Sequence, residues 1–354
     1  MRLSDIFDSS SVALNRTAVA SNKIPYLGLN FFPNKKKMGI DLKWLKTHKG
    51  LGISLKPANF DAKPTVRSRE SFNAQKTQMA FFRESMIVKE EDMIEIMRMQ
   101  DSNDPYVSTI LQSIYDDTNN LLEGAEIVAE RMRMQLLATT EGTPKIVLEA
   151  DGVKYEYNYD PDGSYKAGHY MKLTDTATWD KTSTAKPLTD IRTAKKKLTA
   201  LGVTAKYILM NSETFDYLLE NEQIKNAILA QNTTANIFLD DDMLLDFLQK
   251  KTKLTVLIYD KMYKDYDGSD KNFYPKDKVT IIGEGALGST WYGTTPEERT
   301  LLGDPNVDVT VMDTGIAIAV KTEAGPPVSV TTSASQILLP SYEGMDATFI
   351  IDVK

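Results

Sequence analysis

The hydrophobic pattern changes several times along the chain, and the first part shows the least regularity. Pro25, Gly28 and Pro33 interrupt residues 1–50, which are therefore predicted to form an extended arm with at most a short strand or two. Over residues 51–88 apolar and polar positions alternate as in β-strands, but the centre of this stretch is charged. A charged centre does not suit a compact core, so we expect a two-stranded flap that projects outward. An isolated hairpin is only marginally stable, and such a flap needs a surface to lie on.

Helical spacing dominates the next region. A short helix is predicted over 89–99, with Glu90, Glu91 and Asp92 in its first turn, where the helix dipole favours acids. A second helix is predicted over 105–138, because proline stands at its first position and apolar residues continue at intervals of three and four. Its length would be roughly 45–50 Å at the usual rise. Two ordinary helices remain an alternative interpretation of the same pattern.

The remaining sequence alternates between short helical and strand patterns. A hairpin is predicted from 145–149 and 153–157, and residues 164–187 are expected to be irregular. Further helices are predicted at 189–201, 212–219 and 241–250. Further strands are predicted at 205–209, 254–259, 278–282, 308–312, 315–321, 328–330 and 347–353. This mixture is typical of an α+β protein.

The composition removes several kinds of chemistry. The 354 residues include no cysteine, which excludes disulfides, thiolate metal sites and cysteine nucleophiles. The two histidines, His48 and His169, stand in polar stretches, and we expect both at the surface. No apolar run approaches the ~20 residues that cross a bilayer, and the first residues lack a secretion signal, so we expect a protein made in a reducing cytosol with no membrane partner.

Charge is distributed unevenly along the chain. Residues 1–80 carry fourteen Lys and Arg against five Asp and Glu, a net charge of +9, and the remainder carries 28 against 44, a net charge of −16. A basic segment of this kind can bind nucleic acid, or it can meet the acidic part of a neighbouring copy. A solvated basic surface is a third interpretation, and composition alone does not choose among them.

The motifs that suggest an enzyme lack the context they need. Residues 283–288 match the dinucleotide-binding pattern G-x-G-x-x-G, but a strand and a turn are predicted after them instead of the required helix. The acids at 240–242 precede an apolar helix and are explained by capping, and those at 265–270 suit a loop between aromatic strands. Aromatic residues near charge, as in 81–83 and 263–266, indicate buried strands or interface anchors more than nucleic-acid stacking platforms. We therefore predict no enzyme, no cofactor and no metal.

Three short segments carry a resemblance to a known family. They are 271–275 (K-N-F-Y-P), which leads through a strand to glycines at 288 and 293, then 66–69 (V-R-S-R), and 333–340 (S-A-S-Q-I-L-L-P). In their order along the chain they resemble the major head protein of phage lambda and its relatives, the phage major capsid protein E family. The tract at 35–50 has no counterpart that we can place.

The resemblance implies the tailed-phage major capsid fold, named after phage Hong Kong ninety-seven. Its expected parts are an N-terminal arm (1–50), an extended β-hairpin loop (51–88), a peripheral domain with a long spine helix (89–187, the spine at about 105–138), an axial α/β domain (188–321), and a return to the peripheral domain (322–354).

The resemblance also implies partners. The chain is expected to form hexamers and pentamers of an icosahedral head shell around double-stranded DNA, with a separate scaffolding protein, a portal protein and in some cases a decoration protein. Assembly would take place in the bacterial cytoplasm. Inter-subunit contacts are predicted between the flap residues Arg67, Arg69 and Glu70 and the acids Glu90, Glu91 and Asp92 of a neighbour. Two alternatives stay open, an encapsulin-type compartment that encloses cargo enzymes and, more distantly, a nucleotide-dependent oxidoreductase.

Overall fold

The chain folds into two compact units. The computed structural model describes residues 24–45, 74–88, 91, 94, 105–139, 141–150, 152–229, 239–300, 307–312, 315–323 and 329–354. The first unit consists of Met1–Lys43, Lys76–Met132 and Ser289–Ser341, and the second of Trp44–Gln75, Arg133–Gly288 and Tyr342–Lys354. The five segments predicted from the sequence do not coincide with these units and stay a prediction.

Helices and strands alternate through most of the described ranges. The α-helices are α1 (Pro105–Leu137), α2 (Ser164–His169), α3 (Pro187–Ala200), α4 (Ser212–Glu220), α5 (Glu222–Leu229), α6 (Asp241–Thr252) and α7 (Pro296–Thr300). The earlier strands, in chain order, are β1 (Asn34–Lys36), β2 (Asp41–Leu45), β3 (Ala74–Gln78), β4 (Ala80–Val88), β5 (Lys145–Ala150), β6 (Val153–Asn158), β7 (Tyr170–Lys172), β8 (Ala205–Met210) and β9 (Thr255–Ile258). The later strands are β10 (Met262–Lys264), β11 (Asp270–Asn272), β12 (Lys278–Gly283), β13 (Ser289–Tyr292), β14 (Val307–Met312), β15 (Ile316–Glu323), β16 (Ser329–Ser341) and β17 (Thr348–Asp352).

The first unit is built on a six-stranded sheet whose central strand is the long β16. The strand order is β1-β13-β16-β15-β14, and β4 also pairs with β16. All nine residues of β4 lie antiparallel to β16, from Ala80 opposite Leu338 to Val88 opposite Val330. The sheet is covered in part by α1, where Leu122 packs with Ile316 and Ile318 of β15. Burial of these apolar side chains joins helix and sheet into one core.

The second unit is a five-stranded mixed sheet with helices against it. Its strand order is β7-β17-β12-β8-β9, with parallel pairs at both ends and antiparallel pairs in the middle. Helix α3 begins with a proline in its first turn and packs on this sheet through Leu188, Ile191, Ala194 and Leu198, which are all buried. Their spacing of three and four residues places them on one helix face, which explains why this segment forms an amphipathic helix.

Capping determines where α6 begins and ends. The side chain of Asp240 accepts a hydrogen bond from the backbone N–H of Asp241, and Lys253 ends the helix in the left-handed region at φ 59°. The three successive acids therefore act as cap and first turn, as predicted. Asp265 and Asp267 lie in the turn between β10 and β11, which confirms the predicted loop.

The long helix is confirmed as a single helix, since α1 runs from Pro105 to Leu137 without a break. The hairpin of β5 and β6 and the three predicted helices α3, α4 and α6 are also present, within one or two residues of the predicted bounds. No helix in the described ranges has the length and hydrophobicity that crossing a bilayer requires. The predicted helix over 89–99 lies outside the described residues, apart from Glu91 and Ile94, which are helical.

Four expectations were wrong in detail. Residues 164–187 are not irregular, because they contain α2 and β7. The strand predicted at 328–330 is the start of the 13-residue β16, whose side chains are largely buried on both faces and therefore do not alternate in polarity. The chain after the glycine motif was expected to continue as a strand and a turn, but the helix α7 begins there at Pro296.

The fourth error concerns His169, which is only 6% exposed instead of lying at the surface. Its Nδ1 donates a hydrogen bond to the carbonyl oxygen of Thr348 at 2.9 Å, and its ring stacks on that of Tyr165. Helix α2 packs against β17, and this tertiary contact buries a residue whose sequence neighbours are polar.

Candidate assembly surfaces

Strand β4 leaves apolar side chains uncovered on both of its faces. From Arg83 to Ile87 every residue is exposed, although the strand is paired with β16 along its length. Met86 is 38% exposed and Ile87 is 62% exposed. Because successive strand residues point to opposite faces, exposure of these two neighbours means that neither face is covered at this end of the strand. An apolar side chain left uncovered on each face of a paired strand makes this end of β4 a candidate contact site for another protein surface.

A buried carboxylate anchors the other end of β4. Glu297, at the start of α7, is 4% exposed, forms an ion pair with Arg83, and accepts a hydrogen bond from the Ser335 hydroxyl at 2.8 Å. The Arg83 guanidinium also lies over the Phe81 ring, 4.9 Å from its centroid. A buried carboxylate requires such partners, because an unpaired charge in the interior is costly. The cluster therefore holds the exposed part of β4 in a defined position.

Part of the N-terminal segment is docked on the first unit. Phe32 is fully buried, and β1 runs parallel to β13. The buried Glu130 carboxylate of α1 accepts a hydrogen bond from the backbone N–H of Gly28 at 2.8 Å. After β1 the chain is again exposed to solvent, since Met38 is 91% exposed. The arm thus combines an anchored stretch with an uncovered apolar turn.

The second unit exposes a smaller apolar group beside β9. Ile258, at the end of this edge strand, is 39% exposed, and Met262 and Tyr266, in and after β10, are 55% and 61% exposed. An edge strand carries unpaired backbone groups that can pair with another chain. This surface is a further candidate for contact between copies.

The titratable groups buried in the second unit serve packing. The hydroxyl of Thr348 donates to the Met345 carbonyl oxygen at 2.8 Å, so the hydroxyls of Tyr165 and Tyr342 donate to the Thr348 oxygen, at 2.9 and 2.8 Å. Burial raises the pKa of both tyrosines well above the usual 10. Both tyrosines are therefore protonated hydrogen-bond donors at neutral pH.

The glycine motif at 283–288 forms a turn between two strands. Gly283 ends β12, and β13 begins at Ser289. Gly285 has φ +94°, in the left-handed region that favours glycine, and a Cβ there would meet no atom within 4 Å. Because no helix follows, the backbone geometry that holds a pyrophosphate is missing. Within the described ranges, no group of three or more His, Asp or Glu residues is arranged to hold a metal ion.

The contact residues predicted from the sequence are not tested by the structure. Arg67, Arg69 and Glu70, together with Glu90 and Asp92, lie outside the described residues, and Glu91 is helical and exposed. Their pairing stays a prediction.

Sequence reasoning missed two features of β4. The adjacent apolar pair Met86 and Ile87 interrupts the alternation of the strand, and this interruption was the available signal. The pairing of Arg83 with Glu297 joins distant parts of the chain and left no signal in the local pattern.

Comparison with solved structures shows which class of protein has this architecture. A prophage protein of Escherichia coli CFT073 that is assigned as a capsid protein aligns with a TM-score of 0.59 at 16% identity, over 98% of this chain and 99% of that chain. A phage-related protein of Bordetella bronchiseptica RB50 aligns with a TM-score of 0.56 at 13% identity, over 98% of this chain and 97% of that chain. The α+β fold is therefore that of tailed-phage major capsid proteins.

The sequence itself gives the family. The family model of the phage major capsid protein E matches residues 17–323, and the chain belongs to this family. No curated protein matches the sequence significantly. The family resemblance inferred from the three short segments is thereby confirmed, and the chain is a shell protein of a tailed-phage capsid.

Proposed function

We propose that copies of this chain assemble, through hexamers and pentamers, into the icosahedral head shell that encloses the double-stranded DNA genome of a tailed phage. The observation that carries this proposal is β4, whose end is anchored by Glu297 while Met86 and Ile87 are uncovered on opposite faces. Family membership supports self-association of the chain into a shell. A strand that is anchored near one end and uncovered on both faces at the other end is suited to being sandwiched between neighbouring subunits.

Further partners follow from the same role. We propose a separate scaffolding protein during assembly, a portal protein at one vertex, packaged DNA against the inner surface, and in some shells a decoration protein. Assembly would take place in the cytoplasm of the host bacterium. The role is structural, without catalytic activity.

The flap would supply polar contacts in this assembly. Arg67, Arg69 and Glu70 are proposed to meet Glu90, Glu91 and Asp92 of an adjacent subunit, because arginine presents a planar fork that suits carboxylates. Each exposed pair would contribute only about 0–1 kcal/mol. Repetition around a shell would nevertheless make assembly sensitive to these side chains.

Concentrating the purified protein, with and without phage lysate, and imaging it by negative-stain microscopy tests the proposal. Shells or tubes are expected, and the double variant Arg67→Ala/Arg69→Ala should assemble less well, most visibly at low salt where screening is weakest, while its circular dichroism and melting stay unchanged. A monomer at every concentration would contradict the function. Normal empty shells of the double variant with poor DNA retention would show that these arginines face DNA instead. Cargo protein instead of genome inside shells purified from cells would favour an encapsulin-type compartment.

A further inference from the structure

Helix α6 of the second unit has surfaces of opposite charge at its two ends. At its C-terminal end, Arg192, Lys195 and Lys196 of α3 and Lys251 of α6 line a surface groove of about 510 Å³, here called the basic groove. Lys195 donates from Nζ to the carbonyl oxygen of Thr252 at 2.6 Å and so satisfies a group that the helix end leaves unpaired. The other three cations have no acidic partner among the residues that the structure describes.

The N-terminal end of α6 is crowded with carboxylates. Asp216 and Glu220 lie one turn apart on α4, and Asp241 begins α6; together they are called the acidic face. Partial burial raises the pKa of Asp216, and the neighbouring carboxylates of Asp241 and Glu220 raise it further. No cation pairs with these three acids within the described ranges. Like charges at this spacing repel one another, so the acidic face is electrostatically unfavourable in the isolated chain.

Within one copy, the acids at the N-terminal end of α6 cannot form ion pairs with the cations at its C-terminal end. Asp241 and Lys251 are ten residues apart on one rigid helix, which corresponds to about 15 Å, far beyond the reach of an ion pair. Residues 230–238, which lie outside the described ranges between α5 and α6, contain no charged residue and supply no counter-charge. The charged residues of both surfaces other than Lys195 are exposed to solvent, and contact with a second copy would bring the two opposite charges together.

We propose that the basic groove of one copy receives the acidic face of the next copy, in a head-to-tail contact that repeats around a ring. A contact between two different surfaces is heterologous and closes into rings when the rotation permits, which is the symmetry of a hexamer or pentamer. The inference rests on the proposed function, since it assigns a ring contact to a self-assembling shell protein. Packaged DNA could occupy the basic groove, but it would leave the acidic face without a partner. A second copy accounts for both surfaces.

Charge reversal tests the contact. The variants Lys196→Glu/Lys251→Glu and Asp216→Lys/Glu220→Lys should each lower the yield of sedimenting shells at least about tenfold at low salt, where exposed charges act most strongly. The fourfold variant, in which every copy carries both reversals, should restore the yield to within about threefold of wild type. The control Lys166→Glu/Lys172→Glu makes the same change in net charge as Lys196→Glu/Lys251→Glu, at exposed lysines elsewhere in the second unit, and should assemble normally. Circular dichroism and melting of each variant establish that it folds.

The outcomes separate the possible failures. Shells from wild type and from both reversal variants in equal yield would overturn the contact and leave the proposed function standing, whereas a wild type that never assembles would overturn the function itself. Failure of the fourfold variant to recover, with loss of DNA retention in the basic-groove variant alone, would assign the groove to DNA and overturn the inference. Discrete dimers of the fourfold variant would overturn the ring arrangement.

A mixture sharpens the test. In an equimolar mixture of the two reversal variants, both ends of one variant are acidic and both ends of the other are basic, so the two must alternate around a ring. Alternation closes only with an even number of subunits. Native mass spectrometry should therefore detect hexameric rings and no enrichment of pentameric ones, and equal yields of both would contradict the contact.

Discussion

The two units of the chain differ in how their polar groups are paired and in which apolar residues they expose. In the second unit, the buried hydroxyls of Tyr165, Tyr342 and Thr348 are paired with one another within the unit. Three of its exposed apolar residues, Ile258, Met262 and Tyr266, are grouped beside the short edge strand β9. The first unit carries instead a nine-residue strand, β4, that is anchored at one end and uncovered on both faces at the other. In the second unit the apolar core and its buried hydrogen bonds are complete within the unit at this cluster, whereas β4 of the first unit leaves apolar side chains uncovered within one chain.

The largest expected effect is a difference in unfolding free energy between two Ile→Ala substitutions, one at a buried position of the second unit and one at an exposed position of the first. Ile281 in β12 is fully buried, and Ile281→Ala should lower the free energy of unfolding by about 2–5 kcal/mol through lost burial and a cavity. Ile87 is 62% exposed, and Ile87→Ala should change it by less than about 0.5 kcal/mol while reducing shell yield. Denaturant unfolding and sedimentation measure the two effects. Comparable destabilisation by both substitutions would show that β4 is covered within one chain and would break the comparison.

An intermediate effect is expected from the hydroxyl cluster of the second unit. Thr348→Val keeps the shape of the side chain but removes the oxygen that accepts from the hydroxyls of Tyr165 and Tyr342, at a cost of about 1–3 kcal/mol in unfolding free energy. Adding Tyr165→Phe and Tyr342→Phe removes the hydroxyls that have lost this acceptor and should recover part of the loss. A triple variant less stable than Thr348→Val would show that the tyrosine hydroxyls have other partners in the fold.

The smallest effect concerns a partly buried acid in the second unit. Burial raises the pKa of Asp190, and the hydrogen bond that its carboxylate accepts from Trp179 Nε1 at 3.0 Å offsets this only in part. A carboxyl whose pKa is higher in the folded state binds its proton more tightly there, so its charge lowers stability above the folded-state pKa. The stability contributed by protonation appears as pH falls through that value and is complete below the unfolded-state pKa near 3.8.

Asp190→Asn keeps an acceptor for Trp179 and removes the charge. At neutral pH the variant should equal wild type or exceed it in unfolding free energy by less than about 1 kcal/mol, and the difference should shrink as pH falls. Thermal melting between pH 3.5 and 7 measures this. A variant that is less stable at pH 7 would mean that the charged hydrogen bond outweighs burial, contrary to the raised pKa.

Local patterns were sufficient for much of the second unit. Helix α3 was predicted because its buried residues recur at helical spacing behind Pro187, and α6 because three acids precede its apolar run. The hairpin of β5 and β6 followed from alternation on both sides of a turn. The glycine motif was correctly predicted to be a turn, since strand patterns flank it. In each case the residues that decide the structure are neighbours in sequence.

Contacts between distant segments could not be predicted in the same way. The burial of His169 depends on how α2 packs against β17, and the anchoring of β4 depends on a glutamate in α7. The length of β16 was underestimated because a strand paired and packed on both faces loses the alternation that marks a half-exposed strand. The candidate contacts at Arg67, Arg69 and Glu70 were chosen by charge alone and stay a prediction.

The sequence by itself determined the α+β class, the helix caps and the capsid family, because periodicity, capping and family motifs are properties of local sequence. Only the tertiary structure decided which charges are left without partners and which apolar residues are left uncovered. Glu297 and Asp216 illustrate the reason: both are acids in short helical segments, yet one is buried against Arg83 and the other is crowded by carboxylates. Burial and pairing depend on the three-dimensional neighbours of a side chain, and the sequence does not list those neighbours.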